Sequence, residues 1–275
     1  MPILPRQRIP DASGGQSEHL KKEKIGYVII NTVAVLAVIA IMTQDPIAQD
    51  PAYHLFADTR GILNLQNFWN IISNFPYLIV GVLGLYKVVR SSRIEILTEF
   101  RLAYILFFFA VAMVSLGSAY YHLVPDNSTL VWDRLPMTVV FMSFFAILVS
   151  EFISVKVGKI LLFPLIVAGI ASVVYWHLSE SWGEGDLRYY ALVQFTPVIM
   201  IPVILLCFRP RYTRVYGYWW LLVTYSAAKL LEYVDVEVYQ LLGFISGHSI
   251  KHIVSALGVY IFLTSFEKRS RVEEK

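Results

Sequence analysis

Between residues 25 and 266 the chain returns eight times to an apolar stretch of eighteen to twenty-two residues: 25–43, 68–89, 100–121, 132–152, 159–178, 189–208, 216–233 and 248–266. At 1.5 Å per residue, an α-helix of that length crosses the ~30 Å hydrocarbon core of a bilayer. Inside hydrocarbon every backbone N–H and C=O must be bonded within its own segment, so stretches of this kind fold as helices. The chain is therefore read as all-α, a polytopic membrane helix bundle of eight spans. Composition agrees: 57% of the 275 residues are hydrophobic and only 16% charged, an apolar excess that soluble domains do not carry.

Lysine and arginine set the orientation. Eighteen of the twenty-three fall in the terminal segments and in alternate connections, while the opposite connections hold only Arg60, Arg134 and Arg188 among acidic residues. The positive-inside rule then places both termini in the cytoplasm. The net charge of +3 is spread over these loops rather than gathered in a patch, which argues against a nucleic acid partner. The first stretch follows a basic segment but lacks a small-x-small cleavage site, so it is read as a retained anchor and not a signal peptide. Residues 1–24 and 267–275 read as polar cytoplasmic tails. Cys207, the single cysteine, sits in an apolar run as a packing residue. Oligomeric state has no signature in the sequence.

Polar side chains inside such spans are costly and point to function. Ser118 and His122 lie four residues apart near the outer end of the third span, on one helix face. Asp133 opens the fourth span on the same side. His248 and His252, again spaced i, i+4, open the last span and can both hold one metal ion. Three of the chain's six histidines thus reach one outer layer together with a serine and an aspartate. Three imidazoles with an open fourth position suit catalytic zinc, Zn2+, which lowers the pKa of its water to about 7. Asp133 is placed to orient that water and take its proton, and Ser118 to donate to an oxyanion. "HSIKH" lacks the glutamate that a zincin helix carries after its first histidine, and six histidines are too few for a membrane di-iron centre.

At these residues the chain resembles the alkaline ceramidase family, part of the CREST group of membrane hydrolases that includes the adiponectin and progestin receptors. The family pattern of a serine, a histidine four on, an aspartate and a late His-x-x-x-His falls on Ser118, His122, Asp133, His248 and His252. The likeness runs from "NFWNIISNFPYLIVG" to the C-terminus, and "WDRLPMT" and "SGHSIKH" tie it to the bacterial branch. It implies a seven-helix CREST/ceramidase-like core, residues 67–266, with a buried zinc site, and residues 25–43 as an extra N-terminal span outside it. It further implies an integral multi-pass protein of the bacterial inner membrane, with the active site on the extracytoplasmic side. The implied reaction is hydrolysis of the amide of a membrane lipid, ceramide, to a sphingoid base and a fatty acid. Animal members carry acidic calcium ligands ahead of "FWN". Here the matching region keeps only Asp58 and Asn67 and adds Arg60, so a Ca2+ site reduces to those two residues.

Other readings stay open. The same residues would hydrolyse another N-acyl lipid or an ester, and a lipid-binding receptor with structural zinc would need a fourth protein ligand. Lys229 invites a retinal Schiff base, but Glu232 lies three residues on and can pair with it. Glu232 and Asp235 are candidates to support the zinc layer by hydrogen bonding to a ligand histidine.

Overall fold

The computed structural model describes residues 12–272, and among them every regular element is a helix. Helix α1 (Ala12–Thr43) begins ahead of the first apolar stretch, so the described part of the expected polar tail, from residue 12, is already helical. A loop with one 3₁₀ turn (Pro51–His54) leads to α2 (Phe68–Ile72) and α3 (Phe75–Arg90), which together fill the second span. The break between them falls at Ser73 and Asn74, just before Pro76, whose ring lacks an N–H and cannot continue the ladder of α2. Helices α4 (Arg101–Leu123), α5 (Asn127–Phe152), α6 (Val155–Ser181) and α7 (Arg188–Cys207) follow. Next come α8 (Tyr216–Tyr233), a short outer helix α9 (Asp235–Leu242) that hydropathy does not signal, and α10 (Gly247–Lys268).

Seven helical segments are long and apolar enough to cross a membrane: α1, α2 with α3, α4, α5, α6, α7 and α10. The eighth, α8, is eighteen residues long, is less apolar because it carries Lys229 and Glu232, and packs along α10. The protein is an integral, multi-pass membrane protein. Helix α1 stands at the edge, packed chiefly on α7, where Gly26 meets Cys207 and Phe208 and Tyr27 lies edge-on to Phe208 at 4.9 Å.

Side-chain caps fix where the functional helices begin. Asp126 accepts from the backbone of Thr129 at 2.8 Å, and the Thr129 hydroxyl accepts from the backbone of Asp126 at 3.2 Å. This capping box starts α5 and sets Asp133 two turns in. Ser246 accepts from the Ser249 N–H and starts α10 one residue before His248. Two glycines then bring backbones together. A Cβ on Gly117 of α4 would sit 2.0 Å from the Trp132 carbonyl oxygen of α5, and one on Gly247 would sit 2.3 Å from the Leu231 carbonyl oxygen of α8.

Two arginines at one end of the bundle hold the connecting loops by one motif, Asp-x-Arg. In "DTR" the Arg60 backbone N–H and Nε donate to Asp58 Oδ1, and Nη2 donates to Oδ2; in "DLR" Arg188 repeats these bonds to Asp186. Arg60 reaches on to the Phe244 carbonyl beyond α9 at 2.7 Å, and Arg188 to the Ile41 carbonyl of α1 at 3.1 Å. Arg188 thus meets a carbonyl that the C-terminus of α1 leaves unbonded, and Arg60 holds the turn that follows α9. At the opposite end of the bundle a bidentate pair, Arg269 to Glu151 at 2.7 and 2.8 Å, is buried beneath Tyr104, which donates to the same carboxylate.

Candidate metal centre

His122 comes from the last turn of α4, and His248 and His252 come from the first two turns of α10, all three buried. One ring nitrogen from each lies within 4.8 Å of the others, and Nε2 of His122 is 3.3 Å from Nε2 of His248. Tetrahedral zinc with Zn–N bonds of about 2.0–2.1 Å holds its ligand nitrogens ~3.3–3.4 Å apart. The donor set therefore fits zinc in chemistry and in the one pair spacing that is tightest. Among the described residues this is the group of histidine, cysteine and acidic side chains able to hold a metal ion, and it contains no fourth protein ligand.

The His252 ring is hydrogen-bonded from outside the cluster, whereas Nδ1 of His122 is buried without a partner. Ser73 Oγ lies 2.9 Å from His252 Nδ1, which leaves Nε2 for the metal. Asn67 Nδ2 donates to the His122 carbonyl at 2.9 Å, and the Phe56 ring packs against both His122 and His248, with centroids 4.7 and 4.6 Å away. Asn70 accepts from the Ser249 hydroxyl at 2.8 Å and donates to the Asp58 carbonyl at 2.9 Å, joining α2, α10 and the loop before α2. Ser73, Asn70 and Phe56 stand out weakly in the sequence. The available signal is the polar stripe Asn67, Asn70, Ser73 and Asn74 in "NFWNIISN", at the three-to-four spacing of one helix face.

Ser118, Asp133 and His252 line one cavity of about 320 Å³ enclosed by α4, α5, α7, α8 and α10. Ser118 and Asp133 both line this cavity, and the close approach of α4 to α5 at Gly117 lies one residue before each of them. Asp133 stands apart from the three-histidine group. From this polar end the cavity follows α4 inward through Val114 and Val111 to Phe107, a run of eleven residues or about 16 Å. Helices α7 and α8, consecutive in the chain, keep their backbones apart and face each other across it, joined by the Gln194 amide, which donates to the Tyr225 hydroxyl at 3.1 Å.

The acids expected to support the metal layer behave differently from a bond to a ligand ring. Asp235 accepts from the backbone N–H of His248 at 2.6 Å and from that of Ala57 at 2.9 Å, fixing the start of α10 instead of an imidazole. Glu232 is shared by Lys229, at 2.6 Å, and Lys251, so it bonds no histidine, and Lys229 has an acidic partner. The remnants of a calcium site do not fit a cation. Burial works against the Asp58 carboxylate, but the hydrogen bonds and charge of Arg60 outweigh it and hold its pKa below the usual carboxylate value. The Arg60 guanidinium covers both oxygens of Asp58, and the Asn67 amide is turned to His122.

With a buried histidine triad that reaches an intramembrane cavity through His252, one comparison decides the kinship: a model of the ceramidase family matches residues 64–275. The chain belongs to the ceramidase family. The match takes in α2 to α10 and leaves α1 outside, in line with the peripheral position of that helix. It also contains His122, His248 and His252 together with Ser118 and Asp133. No curated protein matches the chain.

Proposed function

We propose that the protein is a zinc-dependent intramembrane lipid amidase, cleaving the amide of ceramide-like N-acyl lipids into a sphingoid base and a free fatty acid. The observation that carries this reading is the convergence of His122, His248 and His252, with no fourth protein ligand, beside an aspartate and a serine on the wall of a deep apolar cavity. Three protein ligands leave the open position of a catalytic site, where a structural zinc would be closed by four. Membership of the ceramidase family supports the substrate class.

His122, His248 and His252 would hold the ion, which when bound supplies a Lewis acid and a water acidified to about pKa 7. Asp133 accepts the proton of the attacking water as its oxygen bonds to the amide carbon. It then delivers that proton to the nitrogen as the C–N bond breaks, so that an amine and a carboxylic acid leave. The Ser118 hydroxyl donates to the carbonyl oxygen as charge gathers there. Lys251 and Lys229 hold Glu232 at the cavity rim, which keeps that acid from competing for the water's proton. Acyl chains take the apolar length from Val114 to Phe107, and the gap between α7 and α8 admits them from the bilayer. The site faces the extracytoplasmic side of the inner membrane of a bacterium, with both termini in the cytoplasm.

The test is direct. Purified protein in non-ionic detergent should contain about one zinc per chain and release fatty acid from ceramide. Asp133→Asn should keep the zinc and lose about 10²–10⁴-fold in rate, while His252→Ala should lose both. Full zinc in the histidine variant, or ceramide left intact by the zinc-loaded wild type, would sink the reading.

A further inference from the structure

Next to Asp133 and within its electrostatic reach, on the wall of the same cavity, stands a cation with no salt bridge to a carboxylate among the described residues. Arg134 is 5% exposed. Its guanidinium lies over the rings of Trp176, Tyr190 and Tyr53, with centroids 4.1, 4.7 and 5.6 Å away. A guanidinium carries five N–H donors. The one hydrogen bond it makes runs from Nη2 to the Gln49 side-chain oxygen at 2.6 Å, and Nη1 is buried without a partner. The contrast with the other two outer arginines is sharp. Arg60 and Arg188 are each covered by the aspartate of an Asp-x-Arg motif, whereas the residue two before Arg134 is Trp132, and no ion pair joins Arg134 to a carboxylate among the described residues.

A buried, unpaired guanidinium costs several kcal/mol unless something supplies an acceptor. The aromatic rings fix its plane by cation–π attraction but accept no N–H in that plane. The cavity also carries Lys229 and Lys251 against Glu232, so with Arg134 and Asp133 its wall holds three cations and two acids. The unused donors, the excess charge and the planar fork all suit a carboxylate or phosphate-type oxyanion.

We propose that Arg134 is an oxyanion-recognition residue of this cavity, binding an anionic group of the lipid. The assignment rests on the reading of the cavity as the lipid site. Two sources supply such a group: the carboxylate that amide hydrolysis creates, and an acidic head on the substrate itself.

Binding to purified, zinc-loaded protein in non-ionic detergent separates them. Palmitate is compared with palmitamide for the product, and N-palmitoylglycine with N-palmitoylethanolamine for the head group, each in wild type, Arg134→Gln and Arg134→Lys. The expected result is about a tenfold preference for the anion in at least one pair, the low end for a hydrogen bond to a charged group. The preferred pair names the source. The preference should vanish in Arg134→Gln and weaken several-fold in Arg134→Lys, which keeps the charge but not the fork. Equal binding within both wild-type pairs would overturn the assignment and leave the lipid site standing. An anion preference undiminished in the variants would move the anion to the metal or the lysines and also overturn it; should the glutamine variant fail to fold, the lysine variant decides. If none of the four lipids binds, the lipid-site reading itself falls.

Discussion

Ser73 Oγ, 2.9 Å from His252 Nδ1, decides which nitrogen of that ring faces the cluster. Partners of this kind fix ring orientation and raise ligand basicity, and their loss typically costs 10–100-fold in metal affinity. Ser73→Ala should therefore fold normally and bind zinc about 10–100-fold more weakly, read by competition with a chelator of known affinity; unchanged affinity would make the contact incidental. Ser73 also shows where the sequence stops being informative. An imidazole in an apolar span is flagged by its cost, and the i, i+4 spacing of His248 and His252 states the geometry outright. A serine hydroxyl can instead bond the carbonyl of its own helix, as Ser143 and Ser172 do here at 2.6 and 2.7 Å, so its presence names no partner. Asp235 is the converse case. Its nearness to the metal layer is legible, but its use of a backbone N–H in place of a ring is set by α9, which turns the chain back toward α10 and which hydropathy does not reveal.

Between helices, catalytic register depends on backbone contact as much as on side chains. Gly117 lets α4 lie against the Trp132 carbonyl of α5, one residue before Asp133 and one before Ser118 on the facing helix. A methyl group there would sit 2.0 Å from that oxygen, and overpacking of this order costs about 1–3 kcal/mol as the helices part. Gly117→Ala should consequently lower the rate by tenfold or more, because a shift of about 1 Å in a reacting group can cost 10²-fold. Its zinc content should be kept, because the histidines come from the end of α4 and from α10. An unaltered rate would show that Ser118 and Asp133 are positioned by something else. The helices themselves are legible from length and hydropathy. The close approach is not, since a glycine in a span reads equally as a packing notch or a neutral residue until its neighbour is known.

The whole molecule is polarised, with the histidine cluster and cavity mouth at one end of the bundle and the Glu151–Arg269 pair at the other. Both side chains of that pair are 2% exposed, so removing one leaves an uncompensated buried charge. Glu151→Ala should lower stability by about 3–5 kcal/mol, seen as a lower unfolding temperature in detergent. Replacing both residues with methionine should recover most of the loss, because well-packed apolar pairs often match a buried ion pair; a double variant no better than the single would assign the effect to packing.

Which end faces outward follows from charge. Arg60 and Arg188, two of the three arginines in the connections on the histidine-cluster side, are each paired with an aspartate. In the opposite connections Arg90, Arg93 and Arg101 are exposed, while Lys87 and Arg269 are paired with Glu267 and Glu151. The positive-inside rule counts lysines and arginines rather than net charge, and on that count we propose that the metal cluster lies in the outer third of the bilayer. With Cys207 replaced by serine, single cysteines are introduced at Ser128, exposed at the start of α5, and at Ser92, exposed between α3 and α4. A membrane-impermeant maleimide applied to intact cells should label position 128 and spare position 92. The reverse pattern would invert the molecule, place the histidine cluster at the cytoplasmic leaflet, and require that the lipid substrate be drawn from that side.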